Sequence, residues 1–202
     1  MVDRRGILSV IRFFRQSSTR PFDFYYSARM HLQFGDPDKI VVQCAVEPNT
    51  TVGRELWLGR VWLTADGQVI GNVEDRFQEQ IGIALGALLG AAQDTGKRQH
   101  HLLKGLSAEA ALDLVMWAVF GDDAVHPELT GADRRLLARS EIISSKGGPA
   151  FDDWEGIIVE SGDSETIVWR REQEQAQTRT FPLGTFWAAT ELAQAWLRSQ
   201  ES

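Results

Sequence analysis

The order of local patterns predicts an α+β fold: a single domain in which a mainly antiparallel β-sheet packs against two or three helices. Three observations carry that expectation. Short β-branched and aromatic runs are separated by turn sequences such as Asp66-Gly67 and Ser161-Gly162-Asp163. Apolar residues recur at helical spacing through the middle of the chain, and the last third returns to strands before a terminal helix. Tight turns join antiparallel neighbours, whereas a parallel sheet needs a long crossover after each strand.

Asp36-Pro37 marks a turn before a β-rich run at 39–47. A second run, 55–64, alternates, with Trp57 and Val61 on one face and Leu56, Leu58, Trp62 and Thr64 on the other. Asp66-Gly67 supplies a hairpin whose returning strand is 68–71. Residues 76–93 place Phe77, Ile81, Leu85 and Leu88 on a helix. Ser107 caps a second helix, 108–120, with Gly121 just past its end. Leu112, Leu114, Val115, Met116, Trp117, Val119 and Phe120 make this helix apolar nearly all round, which predicts a central position with Trp117 buried. Residues 134–143 fit a helix or a strand, and Lys146-Gly147-Gly148-Pro149 is a break. Strands follow at 154–160, 165–171 and 177–181, and Thr185 caps a terminal helix through Leu197. The strands at 39–47, 55–64, 68–71, 154–160 and 165–171 are expected in one sheet.

With 43% hydrophobic and 24% charged residues, the chain lies outside the disordered regime. Cys44 is its one cysteine, which excludes a disulfide framework and points to a reducing compartment. Net charge is −7, unevenly spread: Arg4, Arg5, Arg12, Arg15, Arg20 and Arg29 face Asp3 and Asp23 in residues 1–29, so the body is more acidic than the whole. An acidic body disfavours nucleic acid and favours a basic partner. The apolar run at 81–92 is too short for the ~20 residues a membrane span needs. Arg12 and Arg15 interrupt the N-terminal stretch that faintly resembles a signal peptide, so a soluble, cytoplasmic protein without membrane association is expected. Residues 1–29 read as an extension ahead of an alternative start at Met30, or as an amphipathic helix carrying Ile7, Val10, Ile11 and Phe14. The domain proper is 30–202.

Catalytic motifs are missing: no Gly-x-Ser-x-Gly elbow, no phosphate-binding Gly-Lys-Ser/Thr loop and no His-Glu-x-x-His. His100 and His101, pointing in different directions, give no zinc spacing, and His31 and His126 stand apart, so neither metal nor cofactor is expected. Cys44 lies in a β-run and reads as a small buried residue. Gly82, Gly86 and Gly90 form one helical stripe, which predicts close approach of a neighbouring helix or sheet, or a self-association face. Asp113, inside the apolar helix, marks either its one solvent stripe or a buried hydrogen bond. The segment 151–165 is the most informative. Asp152, Asp153, Glu155, Glu160, Asp163 and Glu165 occur there without a basic residue, and Trp154 is interleaved. A solvated hairpin rim explains the charges. So does a surface for a basic protein, with acids steering encounter and the aromatic as anchor.

Five motifs in order resemble the immunity protein 42 family of bacterial polymorphic-toxin and contact-dependent growth inhibition systems. They are Gly35-Asp36-Pro37 with Ile40-Val41-Val42; Leu56-Trp57-Leu58-Gly59 with Gly67-Gln68-Val69-Ile70-Gly71; Phe151-Asp152-Asp153-Trp154-Glu155; Ile167-Val168-Trp169-Arg170; and Pro182-Leu183-Gly184-Thr185-Phe186. The resemblance spans 34–197. It implies a non-catalytic protein that binds a cognate toxin domain encoded beside it, in many such systems a nuclease with a basic surface, and blocks it by occlusion. Asp152, Asp153, Trp154, Glu155, Glu160, Asp163 and Glu165 are then the candidate toxin-binding residues. The alternatives are a hydrolase using Asp and Glu carboxylates, or a structural adaptor.

Overall fold

The computed structural model describes residues 30–47, 57–74, 79–122, 125–143 and 149–200. The expectations placed on residues 1–29, on Leu56 and Phe77, and on Lys146-Gly147-Gly148 lie outside them.

Strands β1 (Met30–Gly35), β2 (Ile40–Val46), β3 (Leu58–Ala65) and β4 (Gln68–Ile70) pair antiparallel in chain order, and the two-residue β5 (Glu79–Gln80) joins β3 at its other end. The β3–β4 turn carries Asp66 at φ 51° and Gly67 at φ 74°. Two successive positive φ values match the right-handed twist of the flanking strands, the reason Asp-Gly is favoured there. Helix α1 (Ile81–Ala92) follows directly and packs on β3. Gly59 permits this approach: a Cβ there would stand 2.7 Å from Ile81 Cδ1 and 2.2 Å from the Ala45 carbonyl oxygen.

Helix α2 (Ala108–Phe120) is capped as expected, Ser107 Oγ accepting from Ala110 N–H. Residues 134–143 turn out to be both alternatives in succession. Helix α3 (Gly131–Leu137), fastened by a reciprocal Thr130–Asp133 capping box, gives way to strand β6 (Glu141–Ile143). Strands β7 (Trp154–Ser161), β8 (Ser164–Arg171) and β9 (Gln177–Pro182) complete a second antiparallel sheet, ordered β6-β7-β8-β9, and α4 (Thr185–Gln200) ends the chain.

The α+β class and the single domain stand, with four helices among the described residues. The single sheet does not, because the strands divide into two. Both sheets nevertheless feed one core. Val42, Cys44, Val61 and Leu63 of the first meet Ile158, Ile167, Trp169 and Phe181 of the second, with Leu85 and Leu88 of α1 and Phe186 and Ala189 of α4. Asn72 pins the sheets together: its N–H donates to Ala150 O (2.5 Å), its Nδ2 to Asp152 O (2.8 Å), and its Oδ1 accepts from Trp154 Nε1 (3.3 Å). At the far end, Arg179 of β9 reaches Asp66 of the β3–β4 turn at 3.0 Å.

Helix α2 lies against the outer face of the second sheet, where Leu112, Val115 and Met116 meet Ile157 and Val168. It is therefore a surface helix rather than a central one, and Trp117 is half-buried. Trp117 Nε1 donates to Asp122 O (2.8 Å), Arg134 stacks over its ring at 5.2 Å, and His126 meets it edge-on at 4.6 Å. An indole needs a partner for its N–H, and here that partner lies at the surface end of the helix. On the glycine stripe of α1, a Cβ at Gly82 would meet Leu197 of α4 at 3.6 Å, so one position lies close to a neighbouring helix, while a Cβ at Gly86 or Gly90 would meet nothing within 4 Å.

Candidate functional site

Alternation along β7 sends Ile158 and Glu160 into the shared core and Glu155, Ile157 and Val159 toward α2. The register of β7 with β8 places Glu160 opposite Glu165 and Glu155 opposite Arg170. The acids of one hairpin are thereby sorted between interior and surface.

Glu160 is 4% exposed and Glu165 fully buried. Like charges directly opposite repel, so each needs its own compensation. Glu160 accepts from Gly96 N–H (2.9 Å) and Arg98 N–H (3.0 Å) and pairs with the Arg98 guanidinium at 3.4 Å. Arg98, 1% exposed, also donates to the carbonyls of Arg139 (2.9 Å) and Ala91. Its burial pulls the guanidinium below its usual range, while Glu160 pushes back. Glu165 accepts from Gly184 N–H (3.0 Å) and Phe186 N–H (2.7 Å), the first amides of α4. A helix N-terminus suits a carboxylate, although burial still raises Glu165 above the ordinary range. These two acids hold the α1–α2 connection and α4 onto the sheet.

The outer acids are arranged differently. Arg170 of β8 is gripped by three carboxylates from three places: Glu155 on β7 (2.7 Å), Glu109 in the first turn of α2 (2.5 Å) and Asp113 one turn on (2.8 Å). Burial works against the Arg170 charge, but the hydrogen bonds to these acids outweigh it and hold it above its ordinary value. Glu109 also accepts from Ala176 N–H at 2.9 Å, and that bond, with Arg170, holds its carboxyl below the usual range. Side-chain exposures of 48% for Glu109, 58% for Asp113 and 35% for Glu155 leave all three facing solvent around one partly covered cation. Asp113 thus marks the solvent stripe of α2.

Asp152 and Asp153 are exposed in the turn before β7, where the Asp153 carbonyl accepts from Glu172 N–H (2.7 Å) beyond the end of β8. They, with Glu172 and Glu174, stand at the same end of the hairpin as Glu155. Asp163 is exposed at the opposite tip. Trp154 is half-buried against the shared core, its N–H occupied by Asn72. The seven residues drawn from one stretch of sequence therefore occupy four environments.

His100 and His101 stack at 4.7 Å rather than pointing apart, and His100 Nδ1 accepts from Leu102 N–H. Cys44 is buried, and that burial pushes its thiol up. Among the described residues no helix is long and apolar enough to cross a membrane.

The immunity protein 42 family model matches residues 30–200. No curated protein matches the chain. Among solved structures, the crystal structure of CdiI from Burkholderia dolosa AUO158 is similar, with a TM-score of 0.60 at 12% identity over 83% of this chain and 99% of that one. At that identity the likeness concerns the fold alone. The family match covers both sheets and the acids on either face of β7, and by it the chain belongs to the immunity protein 42 family.

Proposed function

We propose that this chain neutralises a cognate toxin domain by binding it, without chemistry of its own, and so protects the cell that makes the toxin. The observation that carries the reading is the family match over residues 30–200. The fold shared with CdiI from Burkholderia dolosa is in keeping with it. The toxin is a basic protein, of the kind nucleases are because they bind phosphate, and the acidic end of the β7–β8 hairpin attracts it. Asp152, Asp153 and Glu155 contribute to that attraction. Asp163 lies at the far tip and belongs to a separate exposed stretch. Glu160 and Glu165 act indirectly, by holding the hairpin in place.

Neutralisation takes place in the cytoplasm by occlusion of the toxin's active site or of its substrate entry. The hydrolase alternative is less well supported. Glu109, Asp113 and Glu155 share Arg170, and an acid tied to a guanidinium is a poor proton donor. The test is growth rescue. Cells expressing the toxin domain encoded beside this chain should survive when the chain is co-expressed, and the two should co-purify in fixed ratio. Continued killing with the chain present and soluble would contradict the reading.

A further inference from the structure

We infer that the outer face of α2 is the docking surface for the toxin, with Phe120 as its apolar anchor and Glu109 and Asp113 as its charged margin. This rests on the immunity reading and locates its interface. On a helix with residues about 100° apart, Glu109, Ala110, Asp113, Trp117 and Phe120 fall within one arc, Trp117 half-covered by Arg134 and His126, and Leu106 lies just before the Ser107 cap. The opposite arc is the one that packs, with Ala111, Leu112, Val115 and Ala118 buried on the second sheet.

The outer arc of a surface helix is ordinarily polar. Here its C-terminal end is apolar: Phe120 is 58% exposed, with Val125 just beyond the helix 62% exposed and Leu106 just before it 41% exposed. Among the described residues no hydrophobic cluster takes in Phe120, whereas a partner with an apolar hollow would bury it. Aromatic anchors of this kind, ringed by polar groups, dominate binding energy at protein interfaces.

Charge selects the class of partner. Glu109 and Asp113 lie about 10–16 Å along the helix axis from Phe120, within one docking footprint. Together with Glu155 they place three carboxylates around one guanidinium, so the margin keeps a negative excess. Arg170 and Ala176 N–H hold Glu109 in place, so little ordering remains to be done on binding. Such a face repels nucleic acid and anionic lipid and complements a protein bearing lysines or arginines beside an apolar hollow. Trp154 is not the anchor, because its indole N–H is directed at Asn72 and its ring at the core.

The probe is the purified toxin domain encoded beside this chain, measured by biolayer interferometry against the full-length protein and three variants. Phe120→Ala removes the anchor. Ala110→Arg adds a cation and bulk at an exposed position inside the arc without removing a side-chain contact. Ile83→Ala truncates a residue 66% exposed on α1 as a control. Both α2 variants should bind about tenfold or more weakly, with Ala110→Arg slowing association at low salt, while Ile83→Ala binds like the parent and all three keep its melting temperature. If Phe120→Ala melts early, Ala110→Arg decides the matter. Parent-like binding by folded α2 variants would overturn this docking face and leave the immunity reading intact; a parent chain that neither binds nor rescues would overturn that reading itself.

Discussion

Glu155 and Glu160 belong to the same strand, yet one lies at the surface against Arg170 and the other is 4% exposed against Arg98. The outer pair sits in a group of three carboxylates that solvent reaches, where Coulomb attraction is screened and each contact contributes little to stability. The inner pair is sealed. There the attraction is strong, but so is the cost of removing both charges from water, and what matters is that neither is left alone. The comparison teaches that an acid's contribution is set by the face it occupies. Interior carboxylates are bound into the fold, and outer ones stay at the surface, where the proposed partner would meet them.

The largest effect should come from breaking the inner pair. Glu160→Ala strands Arg98 and should cost about 3–5 kcal/mol in a denaturant titration. A loss below about 1 kcal/mol would mean that water reaches the Arg98 site, and the contrast between faces would fail.

Glu79 sharpens the comparison, because it is a buried acid that no cation among the described residues balances. It is 9% exposed and its Oε1 has no hydrogen-bond partner. Burial pushes its carboxyl up to about 8. The folded state therefore holds a proton that the unfolded chain, titrating near 4.5, has released. The stabilisation is complete below about pH 4.5 and is lost as pH rises toward 8, by roughly 1.4 kcal/mol per unit at its steepest. Glu79→Gln, neutral at every pH, should flatten that part of the stability profile. An unchanged slope would assign it to other groups.

Trp117 comes next. A core tryptophan would cost about 3–5 kcal/mol on truncation to alanine. Half-buried on the outer arc of α2, Trp117→Ala should cost about 1–2 kcal/mol, for lost apolar burial and one hydrogen bond. A core-sized loss would place α2 deeper than described. The smallest effect belongs to the surface. Asp113→Asn should change stability by less than about 1 kcal/mol, because Glu109 and Glu155 remain on Arg170.

Much of this organisation was legible in the sequence. Asp66-Gly67 and the 161–163 turn announced both hairpins, and the second of these sets the register that pairs Glu155 with Arg170. Strand parity then separates Glu155 from Glu160. It could not say which face is the core, because that depends on Arg98, 62 residues away in sequence. The split into two sheets was hidden for the same reason, since hairpins fix neighbours and not the membership of distant strands. Helix α2 misled through its hydrophobicity. Leu112, Val115 and Met116 pack, whereas Phe120 on the other arc does not. Glu109 escaped notice because its partners, Arg170 and Ala176, lie more than 60 residues on.

The central claim, that outer acids serve recognition while inner ones serve the fold, is tested most directly by the association rate with the cognate toxin domain of the proposed function. It should be measured at low and physiological salt for the parent and for a chain with Asp113, Asp152 and Asp153 all changed to lysine. The parent's rate should fall steeply as the Debye length shrinks to ~8 Å, and the triple reversal should slow low-salt association by about tenfold or more while the protein stays folded. A parent rate indifferent to salt, matched by the folded triple variant, would contradict the division of labour between the two faces.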